Sequence, residues 1–259
     1  MNTPPLLQVT GLTKQFGGLP ALMAVCFAIL PGQITALIGP NGAGKTTLIN
    51  CLSGVLTPDW GTIMLAGHDI TYWPPHQRAR LGLARTFQNL RLFPRLTVLE
   101  NVLCGLTVQT GSSFWRALVR PPSLRHLERQ LRLLALDALD TYGLQGKGDL
   151  PAEILPYGEK KKVELARAFV SGPLLTLLDE PVAGLNTAET AEIADIIKKM
   201  RQAGRTILLV EHDLDLVMSV ADSVVVLDSG RVIAWGPPAA VQRNPLVLEA
   251  YLGRLSPTA

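Results

Sequence analysis

Gly39-Pro40-Asn41-Gly42-Ala43-Gly44-Lys45-Thr46 constrains this chain more than any other stretch of it. Glycines at these positions let successive main-chain N–H groups turn inward around one point, and the spacing up to the lysine and threonine is that of a phosphate-wrapping loop. The context agrees. Ile34 to Ile38 is a compact apolar run of the kind that forms a buried parallel strand, and Lys45 to Leu56 reads as helix. Strand, loop and helix start together bring the positive end of a helix dipole, the Lys45 ammonium and the Thr46 hydroxyl to one place. Such a site takes a nucleoside triphosphate, with Lys45 on the terminal phosphates and Thr46 on magnesium. It does not by itself separate a GTPase from a kinase or a motor.

A second element narrows the choice. Leu174-Leu175-Thr176-Leu177-Leu178-Asp179-Glu180 is an apolar strand ending in two carboxylates. Asp179 is placed to hold the magnesium shell through water, because magnesium sheds its hydration reluctantly. Glu180 is placed to orient and deprotonate an attacking water.

Composition bounds the rest. Basic residues number 24 and acidic ones 21, a net +3 with no long basic block, so nothing points to nucleic acid. Cys26, Cys51 and Cys104 have neither metal-ligand spacing nor the makings of a disulfide framework, which fits a reducing cytoplasm. Met1 to Thr10 lacks the basic-then-apolar pattern of a secretion signal. The longest apolar runs, such as Ala21 to Leu30, fall short of the roughly 20 residues a membrane helix needs. An apolar share of 47% supplies a large core and leaves material for a face that docks on other subunits.

Along the chain, Leu7 to Leu30 reads as short strands broken by Gly17-Gly18 and Pro31-Gly32, a small antiparallel sheet. Between Val98 and Leu150 the pattern is helical, with leucines at 124, 127, 131, 134 and 139, and Ser112 to Ser123 looks like a surface insertion. Arg116, Arg120, Arg125, Arg129 and Arg132 in this region read as a solvated face. Strands at Leu174–Leu178 and Thr206–Val210, separated by a helix over Ala188–Gln202, imply a parallel sheet with right-handed crossovers. Val224 to Ala234 reads as a hairpin turning at Asp228-Ser229-Gly230.

With the two phosphate-site motifs ordered around Phe87-Gln88 and Leu155-Pro156-Tyr157-Gly158-Glu159, nearly the whole chain resembles the ATP-binding-cassette (ABC) ATPases. The resemblance implies an α/β fold: a P-loop NTPase (RecA-like) parallel-sheet core, an N-terminal antiparallel β subdomain and a helical signature subdomain. In a single domain, 1–87 and 169–259 form the nucleotide-binding core with the β region, and 88–168 the helical subdomain. It implies ATP and Mg2+ as ligands, with ATP held by Gly39 to Thr47. Phe16 stands where the family stacks an aromatic on adenine, and Gln88 where a glutamine touches magnesium and senses the permease. Tyr157, Gly158 and Glu159 stand in the signature that meets the γ-phosphate on the opposite subunit of a head-to-tail dimer. Val182 to Asn186 matches the dimer-contacting loop, and His212 the histidine that contacts γ-phosphate and helps hold Glu180 and water in line. Glu180, His212 and Lys45 are thus the expected catalytic residues, and Thr46, Gln88 and Asp179 the expected metal-holding ones.

The signature departs from the usual Leu-Ser-Gly-Gly-Gln at Pro156, Tyr157 and Glu159. Without a serine hydroxyl, contact with the opposite phosphate falls to main-chain N–H groups such as that of Gly158 and to the helix N-terminus. The Tyr-Gly pair, the Ala183-Gly184-Leu185-Asn186 loop, the Ser112–Arg125 insertion, Glu211 to Met218 and the ending Asn244 to Gly253 are similar to the larger ATPase subunit of branched-chain amino acid importers. That branch implies a second, shorter ATPase or a second copy, two membrane permease subunits, indirectly a periplasmic or extracellular solute-binding protein, and a peripheral seat on the cytoplasmic face of the inner membrane. Its relatives also move urea, amides or other amino acids. Three rivals stay open: a cassette ATPase acting on DNA or ribosomes, a non-hydrolysing ATP-binding regulator, and an exporter cassette. The first lacks its usual coiled-coil insertion or tandem cassette here, the second does not need the intact Lys45, Asp179, Glu180 and His212, and the third differs in the permease and not in this chain.

Overall fold

The protein is described here by a computed structural model covering residues 4–88, 90–106 and 122–252. Most of the expected insertion, including Arg116 and Arg120, lies outside the described residues. Two sheets are stacked. In the first, β1 (Leu7–Phe16) pairs antiparallel with β2 (Leu19–Ile29) on one side and β4 (Trp60–Leu65) on the other, and β5 (His68–Asp69) completes the order β2-β1-β4-β5. In the second, β3 (Ile34–Ile38) lies between β8 (Thr206–Val210) and β9 (Ser223–Asp228), and the full order is β10-β9-β3-β8-β7-β6, with β6 spanning Leu83–Arg85, β7 Leu175–Asp179 and β10 Arg231–Gly236. All its pairings are parallel except the β9–β10 hairpin.

Strands β3, β7 and β8 are buried at every residue, as strands covered on both faces must be, so they carry unbroken apolar runs where β1 alternates. One face of the parallel sheet packs with the antiparallel sheet around α1 (Lys45–Ser53), whose Leu48, Ile49 and Leu52 join Leu7, Ile29, Leu37, Leu177 and Leu208 in one core. The other face is covered by helices α3 (Val98–Cys104), α4 (Pro122–Thr141), α5 (Tyr157–Phe169) and α6 (Thr187–Gln202) through Leu99, Leu139, Val163 and Ile197. A third, smaller core lies under α7 (Leu214–Val220), α8 (Pro238–Gln242) and α9 (Pro245–Leu252), built on Ile38, Val217, Val226 and Val247.

Several expected boundaries shift. The helix after the loop stops at Ser53 rather than Leu56, because Gly54 closes it at φ +79 in the left-handed region. The strand before the paired carboxylates starts at Leu175 and includes Asp179. Helix α4 begins at Pro122, inside the expected insertion, and Arg129 and Arg132 on it face solvent, with Arg132 3.8 Å from Asp149. The elements between 60 and 85 carry little sequence signal: β6 is three residues long, and α2 (Pro75–Leu81) has no apolar period.

Helix α2 nevertheless fixes α1. Arg78 is 1% exposed, and its guanidinium donates to the carbonyls of Cys51 and Leu52 (2.6 and 2.7 Å), Thr71 (2.9 Å) and Trp73 (2.9 Å). A cation on the last carbonyls of α1 satisfies orphan acceptors and complements the negative end of the helix dipole. Burial pushes its pKa down to about 10, so it remains charged at neutral pH. Arg78→Met should leave these buried carbonyls unpaired and cost about 3 kcal/mol of stability, read as a lower urea midpoint at unchanged slope.

Candidate active site

The phosphate-loop sequence is held between β2 and the β9–β10 turn. Gly39 adopts φ +149, and a Cβ there would lie 2.0 Å from the Leu227 carbonyl oxygen, so no side chain fits. Gly230, at φ +76 in the hairpin turn, donates its N–H to the Ala43 carbonyl (2.9 Å), while its own carbonyl accepts from Met23 N–H (2.8 Å). Lys45 opens α1 and folds back along the loop, its ammonium donating to the carbonyls of Gly39 (2.6 Å) and Pro40 (3.0 Å). Burial pulls the Lys45 pKa down, and the negative charge of Glu180 pulls it partly back.

Loop, glutamine and glutamate share one cleft of about 340 Å3, lined by Asn41 to Thr47 together with Ala21, Gln88 and Glu180. Gly39, buried, and Pro40 link β3 to this lining without being part of it. Glu180 follows β7 with φ +48, a left-handed conformation that costs a non-glycine residue about 1–2 kcal/mol. Its N–H donates to Val210 O (2.9 Å), and its Oε2 accepts from Gln88 Nε2 (2.9 Å). The backbone strain is thus tied down from β8 and from the Gln88 loop, and the carboxylate is turned to the cleft.

Asp179 is buried at the end of β7. Its Oδ2 accepts from Arg85 Nη2 (3.0 Å) and its N–H donates to Thr86 Oγ1 (3.2 Å). Arg85 also donates through Nη1 to Asn50 Oδ1 (2.7 Å) and Ser53 Oγ (2.8 Å), bracing α1 against β7. The sequence reading missed Arg85; its only signal is its place two residues before Phe87-Gln88. The donors Thr46 Oγ1, the Gln88 amide oxygen and the Asp179 oxygen not taken by Arg85 are all hard oxygens, a set that suits a hydrated magnesium ion.

Other expected residues stand outside this cleft. Phe16 ends β1, exposed, with the Lys14 ammonium 5.7 Å from its ring centroid. The His212 side chain is 65% exposed, its Nδ1 3.8 Å from Glu211 Oε2. Glu211, also unforeseen, is fully buried: it accepts the N–H groups of Val182 and His212 at 3.2 Å each, and burial raises its pKa. It thereby ties the end of β8 to the loop after Glu180.

The signature residues gather around that same loop. Tyr157 donates its hydroxyl to Ala183 O (3.3 Å) and Glu159 pairs with Lys147 (2.7 Å). Gly158 is buried so close to Glu189 that a Cβ would meet its Oε1 at 2.5 Å. Glu189 in turn caps α6 reciprocally with Asn186. A second cleft of about 630 Å3 opens between α2–β6 and α3–α5, with Arg85, Phe87, Arg91 and Arg167 in its wall. The Phe87 ring lies between the guanidinium groups of Arg85 (5.0 Å) and Arg91 (4.8 Å).

A family profile described as ABC transporter matches residues 22–183, from β2 through the paired carboxylates to the loop beyond. The chain belongs to the ABC transporter family. It is an ATP-binding cassette, and as such an ATPase. A second profile, described as branched-chain amino acid ATP-binding cassette transporter, matches residues 231–254, which hold β10, α8 and α9. The chain is 42% identical over 250 residues to the high-affinity branched-chain amino acid transport ATP-binding protein BraF of Pseudomonas aeruginosa, covering 96% of this chain and 98% of the relative. Identity to the LivG protein of Escherichia coli, described in the same terms, is also 42% over the same shares. Among solved structures, an ATP-binding cassette of an ABC transporter in its ADP conformation superposes with a TM-score of 0.84 at 32% identity, over 97% of this chain and all of that one. A nucleotide-free cassette from an ABC transporter gives 0.83 at 32% identity over 96% of this chain and all of that one.

Within the cassette, Arg85→Met should leave the buried Asp179 carboxylate without its partner and lower the unfolding free energy by about 3 kcal/mol, measurable by denaturant titration.

Proposed function

We propose that this cassette powers an importer of branched-chain amino acids or of related small polar solutes such as amides, urea or other amino acids. The observation that carries this reading is the near full-length similarity to BraF and LivG, together with the separate match of the C-terminal segment. Its partners are two membrane permease subunits, a second cassette that is either a shorter relative or another copy, and, through the permease, an extracytoplasmic solute-binding protein. Its seat is peripheral, on the cytoplasmic face of the membrane; no helix among the described residues is long and apolar enough to cross a membrane. The 630 Å3 cleft beside Phe87 and the Gln88 loop supplies a concave, basic surface on which a permease segment can bear.

The division of labour follows from the geometry. Gly39 to Thr47 wrap the phosphates, and Lys45, at present folded on its own loop, turns outward to neutralise the terminal ones. Phe16 stacks on the base. Thr46, Gln88 and Asp179 would hold a magnesium ion, which would supply charge neutralisation at the terminal phosphates. Glu180 accepts the proton of the attacking water, its carboxylate already steered by Gln88. His212, exposed just beyond the end of β8, donates to the γ-phosphate as the opposing cassette closes. Tyr157, Gly158 and Glu159 present the signature helix to the nucleotide of that opposing cassette. Because Pro156 has no N–H and no side chain caps α5, this contact rests on main-chain donors, which makes the site it completes the weaker of two.

Glu180→Gln keeps the hydrogen bond to Gln88 while removing the base. Turnover should fall at least about a hundredfold with ATP still bound, and size-exclusion chromatography with ATP should show a trapped dimer. Unchanged turnover would remove Glu180 from the mechanism. For the cargo, the intact membrane complex should hydrolyse ATP faster when its binding protein delivers leucine, isoleucine or valine; stimulation by none of these or of the related polar solutes would set the importer reading aside.

A further inference from the structure

One turn into the signature helix, Lys161 is 2% exposed, among the most deeply buried large side chains of the chain. Its ammonium lies 3.5 Å from the Gln88 main-chain carbonyl and 5.9 Å from the Tyr157 ring centroid. Among the described residues it closes no ion pair. Four carboxylates act on it from its surroundings: Glu164 on its own helix, Glu211 after β8, Asp179 as the last residue of β7 and Glu180 just after it. Burial depresses its pKa and these four charges raise it again. An ammonium at such a depth is expensive, and an apolar side chain of the same length would fill the space without that cost. What the ammonium adds is a donor on Gln88 and a positive charge facing the catalytic acids.

Gln88 is therefore held at both ends. Its carbonyl meets Lys161 of the signature helix, and its side chain donates to Glu180 at 2.9 Å. We propose that Lys161 is a positioning residue for hydrolysis, fixing the Gln88 loop so that the placement of the signature helix is transmitted to the Glu180 carboxylate. The proposal rests on Glu180 being the base. It is distinct from the family roles of the signature, since Lys161 faces its own chain's acids and not the nucleotide of a partner.

The test compares Lys161→Met and Lys161→Gln in the full chain with the parent and with Glu180→Gln. Methionine removes donor and charge but keeps the bulk; glutamine keeps a shorter, uncharged donor. Expected is a graded fall in kcat, about tenfold for methionine and less for glutamine, with affinity for a fluorescent ATP analogue unchanged. Hydrogen exchange at Phe87 and Gln88 should rise in the methionine variant while α5 stays protected. A flat series, or a loss of kcat matched by an equal loss of nucleotide affinity, overturns the proposal. If the methionine variant does not fold, glutamine decides: a lower kcat at parental affinity supports the role, and a parental kcat overturns it. If the parent itself hydrolyses no ATP, or Glu180→Gln retains full turnover, the reading of the site has failed rather than the role of Lys161.

Discussion

Everything in the site depends on how closely the Gly39 backbone approaches the Leu227 carbonyl. With no Cβ at Gly39, strand β3 can pass directly against the end of β9, and the turn that follows β9 reaches back to hold the loop at Ala43. The phosphate loop is in this way clamped from outside, by a hairpin that lies nearly two hundred residues further along the chain. Helix α1 is then fixed at its far end by Arg78 and along its side by Arg85. A loop that must present many dipoles to one anion needs such external fixing, because any reorganisation at the moment of reaction is paid out of catalysis.

The acids are held by the same logic. Asp179 is restrained by Arg85 and Thr86, Glu180 by Gln88 and Val210, and Glu211 binds the loop after Glu180. These restraints come from two directions, from the end of β6 with the Gln88 loop that follows it and from the end of β8. Strand β7, the Gln88 loop and the end of β8 consequently meet at a few carboxylates, with Lys161 of the signature helix on the Gln88 carbonyl. Such convergence suits an ATPase whose chemistry has to answer to partners bound at its surface.

The parts of this arrangement legible in the sequence are those with a local signature. Gly39 to Thr46 announces the loop because its spacing follows from phosphate geometry, and the runs at 34–38, 174–178 and 206–210 announce buried strands, the second observed one residue later at 175–179, because both faces are covered. The hairpin at Ser229-Gly230 was readable from its turn residues. What could not be read is whatever acts across sequence distance. Arg78, Arg85, Lys161 and Glu211 read in the sequence as ordinary solvated charges, and only the fold brings them to carbonyls or carboxylates. Short β6 and the polar α2 escaped for a related reason: their stability comes from β7 and α1, not from their own residues. His212 and Phe16, named from resemblance, lie outside the cleft that holds Lys45 and Glu180, and the fold alone does not bring them to it.

The central claim is that the cleft built on Gly39 to Thr47 is shaped for the terminal phosphates and not merely for an adenosine. Calorimetric titration of the full chain with ATP and with AMP, side by side in magnesium, tests it most directly. The account predicts that ATP saturates one site per chain while AMP binds at least about a hundredfold more weakly, since AMP has no terminal phosphates for Lys45 and the loop N–H groups to neutralise. Equal affinity for the two nucleotides would contradict it.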